Sequence, residues 1–351
     1  MRSGLAGIDV LRRVDETRKK QMVQLICPEC RTLLDTHTDR YFCSRCYKDY
    51  LVKNGIVCFN ETAQYYGELS QEEMQEFLRI SKTDGWEKGV TNYVQGKNPM
   101  LIKTITDPRR ISWVSLLGLR GDEIVLDLGC GLGGVSVPLS RFVGEVVALD
   151  GCYDRISFLQ IRRDQEPMQN IFLVCNGSPS KLPFPDASFD LIVLNMVFPY
   201  LAAALPDHNA QTAENIILKE IVRTLKPEGK LYCSVRNRYS LHRLKKMLST
   251  SQFEPEADNF NARGYGYYKK LLSLCGMTNI KSFWPIPNYK YPSHFICLED
   301  NLGETNRRVD KIEDFSGLKK KVVKAARRIK GLSYLAETIS FVAEKTHVDS
   351  Q

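Results

Sequence analysis

The chain has 351 residues, of which 43% are hydrophobic and 26% charged, a composition typical of a globular protein with one large domain or two. No run of eighteen apolar residues occurs and the first residues hold no apolar core, so neither a membrane span nor a secretory leader is expected. The formal charge of +8 indicates an anionic partner without choosing among nucleic acid, lipid headgroups and a phosphorylated substrate. We therefore expect a cytoplasmic protein.

The N-terminal part of the chain begins with a polar, basic segment (1–24) and continues with four cysteines in two CxxC pairs, twelve residues apart. Each CxxC turn directs two thiolates at one point, and two such turns complete a four-thiolate zinc site that leaves no open position for water. Redox-active thiols are the alternative, but that motif places one CxxC beside a βαβ unit. We predict a structural zinc ribbon over residues 25–60. Cys58 and His37 are the alternatives that could replace one of the four cysteine ligands. The four predicted ligands are Cys27, Cys30, Cys43 and Cys46.

Residues 61–120 are predicted to form a helical linker, in which Ser70 and Glu73 make a capping box. From residue 121 to about residue 235, short apolar strands alternate with helical stretches, a pattern typical of a parallel sheet with helices on both faces. We predict that this domain extends over residues 121–351. The fold class is therefore a Rossmann-like α/β domain with a seven-stranded, mostly parallel sheet, a small N-terminal zinc ribbon and inserts at 236–263 and 285–335. The predicted strands are Ile124–Leu128, Val146–Asp150, Ile171–Cys175, Asp190–Leu194, Lys230–Val235, Asn279–Trp284 and an antiparallel "TISFVAEK".

A glycine-rich turn follows the first strand of this domain, and an acid ends the second strand. The turn contains Gly129, Gly131, Gly133 and Gly134, and the acid is Asp150. This order is typical of the mononucleotide-binding half of a Rossmann-type sheet, in which the ligand lies against a turn without side chains. The spacing also satisfies G-x-G-x-x-G, so these residues alone leave NAD or FAD open.

The stretch "LDLGCGLGG" and the later run "SKLPFPDASFDLIVLNMVFPYL" resemble the motifs of class I S-adenosylmethionine-dependent methyltransferases over residues 121–235. The resemblance implies that Asp127 orients the methionine amino group of the cofactor and that Asp150 holds its ribose. Ser178 takes the place of the family's adenine-side acid, with Asn176 as the alternative contact. The implied cofactor-binding residues are Asp127, Gly129, Cys130, Gly131, Gly133, Asp150, Gly151, Asn176, Gly177, Ser178 and Asn195.

A second resemblance concerns the acceptor of the methyl group. The stretches "RNRYSLHRLKK" and "PIPNYKYPSHF", within residues 236–299, and the terminal "ISFVAEK" are similar to methyltransferases encoded with bacterial surface-polysaccharide genes. This resemblance implies a sugar hydroxyl or phosphate on a polymeric or lipid-linked glycan. A sugar hydroxyl also needs a general base, for which His208 and His242 are candidates, whereas a phosphate does not. The predicted acceptor-site residues are Tyr200, Tyr289, Lys290 and Tyr291.

Three alternatives remain open from the sequence. A four-cysteine ribbon ahead of this core also resembles bacterial enzymes that methylate a guanine of ribosomal RNA, and the basic charge would suit a phosphate backbone. A non-catalytic protein that binds the cofactor or a partner is the second alternative. The basic segment 318–332 has an apolar helical face, so it is predicted either to contact the anionic inner face of the membrane or to remain a solvated helix.

Overall fold

The alternating apolar segments of the chain form one mixed β-sheet in a computed structural model of the protein. The structure describes residues 23–60, 69–94, 98–166, 168–240, 262–299 and 336–347. The predictions made for most of segment 1–24, for His242 and for the basic segment 318–332 lie outside the described residues.

The described strands are β1 Asp35–Thr36, β2 Arg40–Cys43, β3 Lys48–Lys53, β4 Ile56–Asn60, β5 Ile124–Leu128, β6 Glu145–Asp150, β7 Ile171–Asn176, β8 Phe189–Asn195, β9 Leu225–Arg236, β10 Met277–Ile286, β11 His294–Cys297 and β12 Thr338–Lys345. The described α-helices are α1 Gln71–Asp84, α2 Trp86–Lys88, α3 Pro99–Thr106, α4 Ser136–Leu139, α5 Tyr153–Gln165, α6 Phe198–Ala203, α7 Ala210–Thr224 and α8 Tyr265–Leu274. A π-helical segment (Gly89–Val94) and a 3₁₀-helical segment (Pro108–Leu116) complete the described helices. None of the described helices is long and apolar enough to cross a bilayer.

The seven predicted strands correspond to β5–β10 and β12, and they lie side by side in the order β7-β6-β5-β8-β9-β12-β10. β5 to β9 are parallel, while β12 runs antiparallel between β9 and β10, as "TISFVAEK" predicted. β5 is the first strand of this domain and has later strands on both sides. In an open α/β sheet, that reversal of strand order leaves a crevice at the carboxyl ends of the strands, where ligands bind.

The prediction of a seven-stranded sheet is wrong in its count, because the described residues alone form a sheet of twelve strands. β11 pairs with β10 at one edge, and β4 pairs in parallel with β7 at the other. β4 reads "IVCFN", and Ile56 and Val57 are buried against the domain. The four ribbon strands therefore continue the main sheet, because β4 carries apolar side chains that need a partner surface. The boundaries drawn at residues 24, 60 and 120 stay predictions.

Buried side chains cover both faces of the sheet. Along β6, Val147 and Leu149 pack into one hydrophobic cluster, while Val146 and Ala148 pack into another on the opposite face. A strand buried on both faces is a continuous apolar run, as "VVAL" is in this chain. A third cluster lies under α1 and α3, around Phe77.

The helical linker folds as its capping signal predicts. The Ser70 hydroxyl accepts from the Glu73 N–H, and the Glu73 carboxylate accepts from the Ser70 N–H at 2.9 Å. Farther along, the Asn98 side chain caps α3 by accepting from the Leu101 N–H at 3.2 Å. These caps fix the start of α1 and α3, and α3 in turn packs over the glycine-rich turn of the sheet.

Candidate functional site

A cavity of about 560 Å³ opens at the carboxyl ends of the parallel strands. One end is lined by the turn after β5, the end of β6 and the loop after β7. The other end is lined by α6, the last residue of β9 and the loop between β10 and β11. Predicted site residues on the lining are Gly129, Cys130, Gly131, Asp150, Gly151, Asn176, Gly177, Asn195, Tyr200, Tyr289 and Lys290.

The glycine-rich turn is shaped by the packing of the protein itself as well as by a ligand. Gly129 has φ +80°, and a Cβ at this position would lie 2.3 Å from the Val197 side chain. At Gly134, a Cβ would lie 2.1 Å from the Thr104 carbonyl oxygen of α3. The sequence predicted that a ligand excludes side chains here, and the structure adds that neighbouring segments exclude them too.

Asp150 closes the cofactor end of the cavity, as its position at the end of a strand predicts. One carboxylate oxygen accepts from the Gly131 N–H at 2.9 Å, and the other accepts from the Cys152 N–H at 2.9 Å. Each carboxylate oxygen can accept a further bond. The carboxylate is therefore held in place by backbone donors while it faces the cavity, a geometry suited to two ribose hydroxyls.

Asp127 lies behind the turn rather than on the cavity lining. It is 2% exposed, and its carboxylate accepts from the Ser136 hydroxyl at 2.5 Å. Burial raises the pKa of Asp127 to about 6, although the Ser136 hydrogen bond and the Arg110 guanidinium both act to lower it. Its charge is therefore sensitive to pH in the range just below neutrality.

The loop after β7 (residues 176–183, the β7 loop) presents Asn176, Gly177 and Pro179 to the cavity. Ser178 does not line it, because its hydroxyl accepts from the Asn60 amide at 2.8 Å. The Asn176 side chain donates to the backbone oxygens of Ser178 and Lys181 at 3.1 and 3.2 Å. Of the two adenine-side candidates, Asn176 is therefore the one on the cavity wall, where it also holds the loop in shape.

The acceptor end begins where β8 ends. Both polar atoms of the Asn195 side chain are buried without a hydrogen-bond partner among the described residues. The next residue, Met196, has φ +65°, a strained conformation for a side chain of this size. A buried unpaired amide beside a strained residue on the cavity wall indicates that a bound ligand supplies the missing partner.

Some predicted residues lie away from the cavity. Tyr291 stacks under Lys103 and Arg109, with ring-to-cation distances of 5.8 and 5.4 Å. His208 is exposed on the connection before α7 and does not line the cavity. Gly133 is likewise absent from the lining, because it packs against Leu159 of α5.

Three arginines on the lining of the cavity were not predicted from the sequence. They are Arg110, Arg155 and Arg236. Arg236 ends β9 and Arg155 lies in the first turn of α5, so both follow from the rule that ligands meet the carboxyl ends of parallel strands. Arg110 belongs to the 3₁₀ segment of the linker, and no local signal identified it. Together with Lys290 they give the lining four cationic groups, against the single carboxylate of Asp150 among its described residues.

The four predicted metal ligands come together in the ribbon. Their sulfur atoms all lie within 4.8 Å of one another, with Cys27 and Cys46 at 3.9 Å and Cys30 and Cys43 at 3.5 Å. A tetrahedral zinc site with Zn–S bonds of about 2.3 Å separates its sulfurs by about 3.8 Å. Hydrogen bonds between Cys30 and Thr32 lower the pKa of Cys30 to about 6, while burial raises the pKa of Cys43 and the bond with Cys30 raises that of Cys46. The donor set and its spacing therefore fit zinc.

Comparison with known proteins identifies the class of this fold. Residues 126–233 match the family described as "Methyltransferase domain". A demethylmenaquinone methyltransferase of Staphylococcus aureus is 30% identical over 184 residues, which cover 47% of this chain and 72% of that protein. The demethylmenaquinone methyltransferase of Bacillus licheniformis is 25% identical over 170 residues, 48% of this chain and 62% of that enzyme.

Among solved structures, the phosphoethanolamine N-methyltransferase 2 of Haemonchus contortus aligns with a TM-score of 0.46 and 17% identity, over 78% of this chain and 60% of that chain. The chain thus spans less than two thirds of the length of some relatives that it matches. The general class is that of α/β proteins whose mostly parallel sheet binds a ligand where the strand order reverses, here beside β5. Within that class, the chain belongs to the S-adenosylmethionine-dependent methyltransferases.

Proposed function

We propose that the chain transfers a methyl group from S-adenosylmethionine to a bacterial surface glycan or its lipid-linked precursor, with a phosphate of that acceptor preferred over a sugar hydroxyl. The observation that carries this proposal is the charge of the acceptor end, where Arg236 and Lys290 face the cavity beside Tyr289. A phosphate oxygen is already anionic, and cationic side chains both hold it and orient it.

The residues at the other end fit the cofactor. We assign Asp150 to the ribose hydroxyls and the wall formed by Asn176, Gly177 and Pro179 to the adenine. The buried Asp127 carboxylate, behind the turn, is proposed to attract the amino group by its charge. The unpaired amide of Asn195 lies where the two ends meet. When bound, S-adenosylmethionine supplies an electrophilic methyl group on a sulfonium.

The chain's own residues act by orientation and by exclusion of water. Methyl transfer from a sulfonium is an in-line displacement, so the acceptor oxygen must approach opposite the sulfur. Arg236 and Lys290 are suited to fix the phosphate, while the apolar residues Val197, just before α6, and Leu201 within it keep water from the line of attack. With a phosphate as acceptor, no proton has to leave the attacking oxygen.

We also propose that the protein contacts the inner face of the membrane. A lipid-linked glycan precursor presents its phosphate at the inner face of the membrane, and the basic segment 318–332 is proposed to contact that surface. That segment lies outside the described residues, so its support is the sequence pattern. We also propose that Zn²⁺ bound by the four cysteines is structural, because four thiolates fill its coordination sphere.

A second candidate acceptor is a quinone, the substrate class in the names of the relatives from Staphylococcus aureus and Bacillus licheniformis. The observation that favours it is the apolar wall of Val197, Pro199 and Leu201 at the acceptor end. A quinone ring would pack against this wall, whereas Arg236 and Lys290 would then have no anionic partner in the substrate.

Methyl-labelled S-adenosylmethionine distinguishes these candidates. The purified chain is incubated with a lipid-linked glycan extract, with demethylmenaquinone and with ribosomal RNA in separate reactions. We expect label in the glycan fraction, and loss of that label when the extract is treated with phosphatase beforehand. Asp150→Ala is the inactive control. Label in quinone or RNA without label in glycan would show that the proposed acceptor is wrong. Failure of the wild type to bind S-adenosylmethionine would contradict the proposed methyltransferase activity.

A further inference from the structure

The last residue of the ribbon, Asn60, meets the β7 loop directly. β4 runs parallel to β7, and beyond the paired residues the Gly177 N–H donates to the Asn60 carbonyl oxygen at 2.7 Å. The Asn60 side-chain amide then donates to the Ser178 hydroxyl at 2.8 Å. Two successive residues of the β7 loop are thus bonded to the ribbon.

The first cysteine knuckle of the ribbon holds the other end of the same loop. Glu29 and Arg31 flank Cys30, and the Glu29 carboxylate pairs with Lys181 at 2.7 Å. Ile26, just before the knuckle, donates its N–H to the Pro183 carbonyl oxygen at 3.0 Å. This first CxxC turn therefore contacts the loop through Ile26, which precedes Cys27, and through Glu29, which follows it.

Arg31 reaches the loop through a shared carboxylate on α7. Its guanidinium pairs with Glu220 at 3.3 Å, and Glu220 also accepts from the Leu182 N–H at 2.9 Å. Arg31 has φ +62°, a conformation that the knuckle imposes and that directs the side chain toward α7. The Glu220 side chain is almost fully buried and also pairs with Arg223 at 2.8 Å, so Arg31 is the more exposed of its two cationic partners.

The loop transmits these contacts to the cavity. The Asn176 side chain donates to the backbone oxygens of Ser178 and Lys181, so the wall residue Asn176 is bonded to positions next to those that the ribbon holds. Gly177 and Pro179, on the same stretch, also line the cavity. A shift of the ribbon contacts would therefore move the wall at the predicted adenine end.

We infer that the four-cysteine ribbon positions the β7 loop for the adenine of the cofactor, with Arg31 and Asn60 as the positioning residues. The inference rests on the proposed function, since it concerns affinity for S-adenosylmethionine. In this arrangement the first CxxC turn of the ribbon, residues 27–30, supports one wall of the proposed cofactor site. Neither Arg31 nor Asn60 lines the cavity itself.

The test compares Arg31→Ala, Asn60→Ala and the double variant in the full-length chain. Both contacts are partly exposed, so we expect the dissociation constant for S-adenosylmethionine to rise about threefold for each variant and about tenfold for both. The KM for the cofactor should rise in parallel while kcat stays at the wild-type value. Arg45→Ala, a ribbon arginine without a described contact to the loop, should bind as the wild type does, and Arg31→Lys should restore most of the affinity.

A variant of Glu220, the partner of Arg31 on α7, distinguishes a change in the position of the β7 loop from a loss of ribbon structure. Glu220→Gln weakens the ion pairs with Arg31 and Arg223 without changing the ribbon, and the part of its effect on cofactor affinity that depends on Arg31 should not add to that of Arg31→Ala. The zinc content and thermal midpoint of each ribbon variant are measured alongside.

Wild-type affinity in the zinc-loaded double variant, or full additivity with Glu220→Gln, would overturn the inference alone. A wild type that does not bind S-adenosylmethionine would instead overturn the proposed function.

Discussion

The two ends of the cavity are built from different kinds of structure. The end predicted to hold the cofactor comes largely from one continuous stretch, residues 127–152, whose backbone turn and two acids are held by hydrogen bonds within the stretch. The acceptor end is assembled from α6, the last residue of β9 and the loop between β10 and β11, which lie far apart in the chain. One end of the cavity is therefore built from a local sequence pattern, while the other end depends on side chains that only folding brings together.

Asp150→Ala should have the largest effect, and it acts on the cofactor end alone. The variant removes a carboxylate that two backbone N–H groups hold in place, so charged hydrogen bonds to the ribose are lost. We expect affinity for S-adenosylmethionine to fall about 100-fold, the equivalent of two charge-assisted hydrogen bonds. Isothermal titration calorimetry measures it, with the exposed Asp164→Ala as control. A loss below threefold would mean that Asp150 does not contact the cofactor.

Gly134→Ala tests whether the glycine turn depends on protein packing. A Cβ at residue 134 would lie 2.1 Å from the Thr104 carbonyl oxygen, so α3 would have to move. We expect the free energy of unfolding to fall by about 2 kcal/mol, typical of overpacking. Gly266→Ala is the matched control, because the added Cβ meets open space in α8 and should raise stability by about 0.5–1 kcal/mol. Urea titration measures both, and equal stabilities would contradict the packing explanation.

Arg236→Ala and Lys290→Ala test the acceptor end. Each variant removes a cationic group from the cavity wall while the turn and the acids stay unchanged. We expect the KM for the phosphorylated acceptor to rise about tenfold, the loss of one charged hydrogen bond, with affinity for S-adenosylmethionine unaltered. Steady-state kinetics and calorimetry provide the two readouts, with the exposed Lys219→Ala as control. A drop in cofactor affinity would show that the two ends are not independent.

The pH dependence of cofactor binding should report on Asp127 and have the smallest effect. Burial raises the pKa of Asp127 to about 6, so the carboxylate is charged at pH 7.5 and takes up a proton as the pH falls through 6. Because the methionine amino group of the cofactor is cationic, affinity should decrease about fivefold between pH 7.5 and pH 5.5. Asp127→Asn should bind with the low-pH affinity at both values. A pH dependence that survives in this variant would assign the titration to another group.

Much of the fold and the cofactor end could be predicted from the sequence. The apolar runs that became β5 to β9, the capping box at Ser70 and Glu73 and the antiparallel "TISFVAEK" strand are all present in the structure. These features depend on neighbours within a few residues of the chain, or on the continuous apolar runs that burial on both faces of a sheet requires. The twelve-strand count could not be predicted, because strand pairing between β4 and β7 joins residues more than a hundred positions apart.

The sequence by itself determined the methyltransferase class and the cluster of four cysteines, because each depends on closely spaced residues. The roles of the two acids in cofactor binding stay predictions. Only the tertiary structure decided that Ser178 is held by Asn60 instead of lining the cavity, and that Arg236 and Lys290 both line it. The tertiary structure also brought the ribbon against the β7 loop through Arg31 and Glu220. The physical reason is that such contacts depend on the packing of whole strands and helices, which no short stretch of the chain encodes.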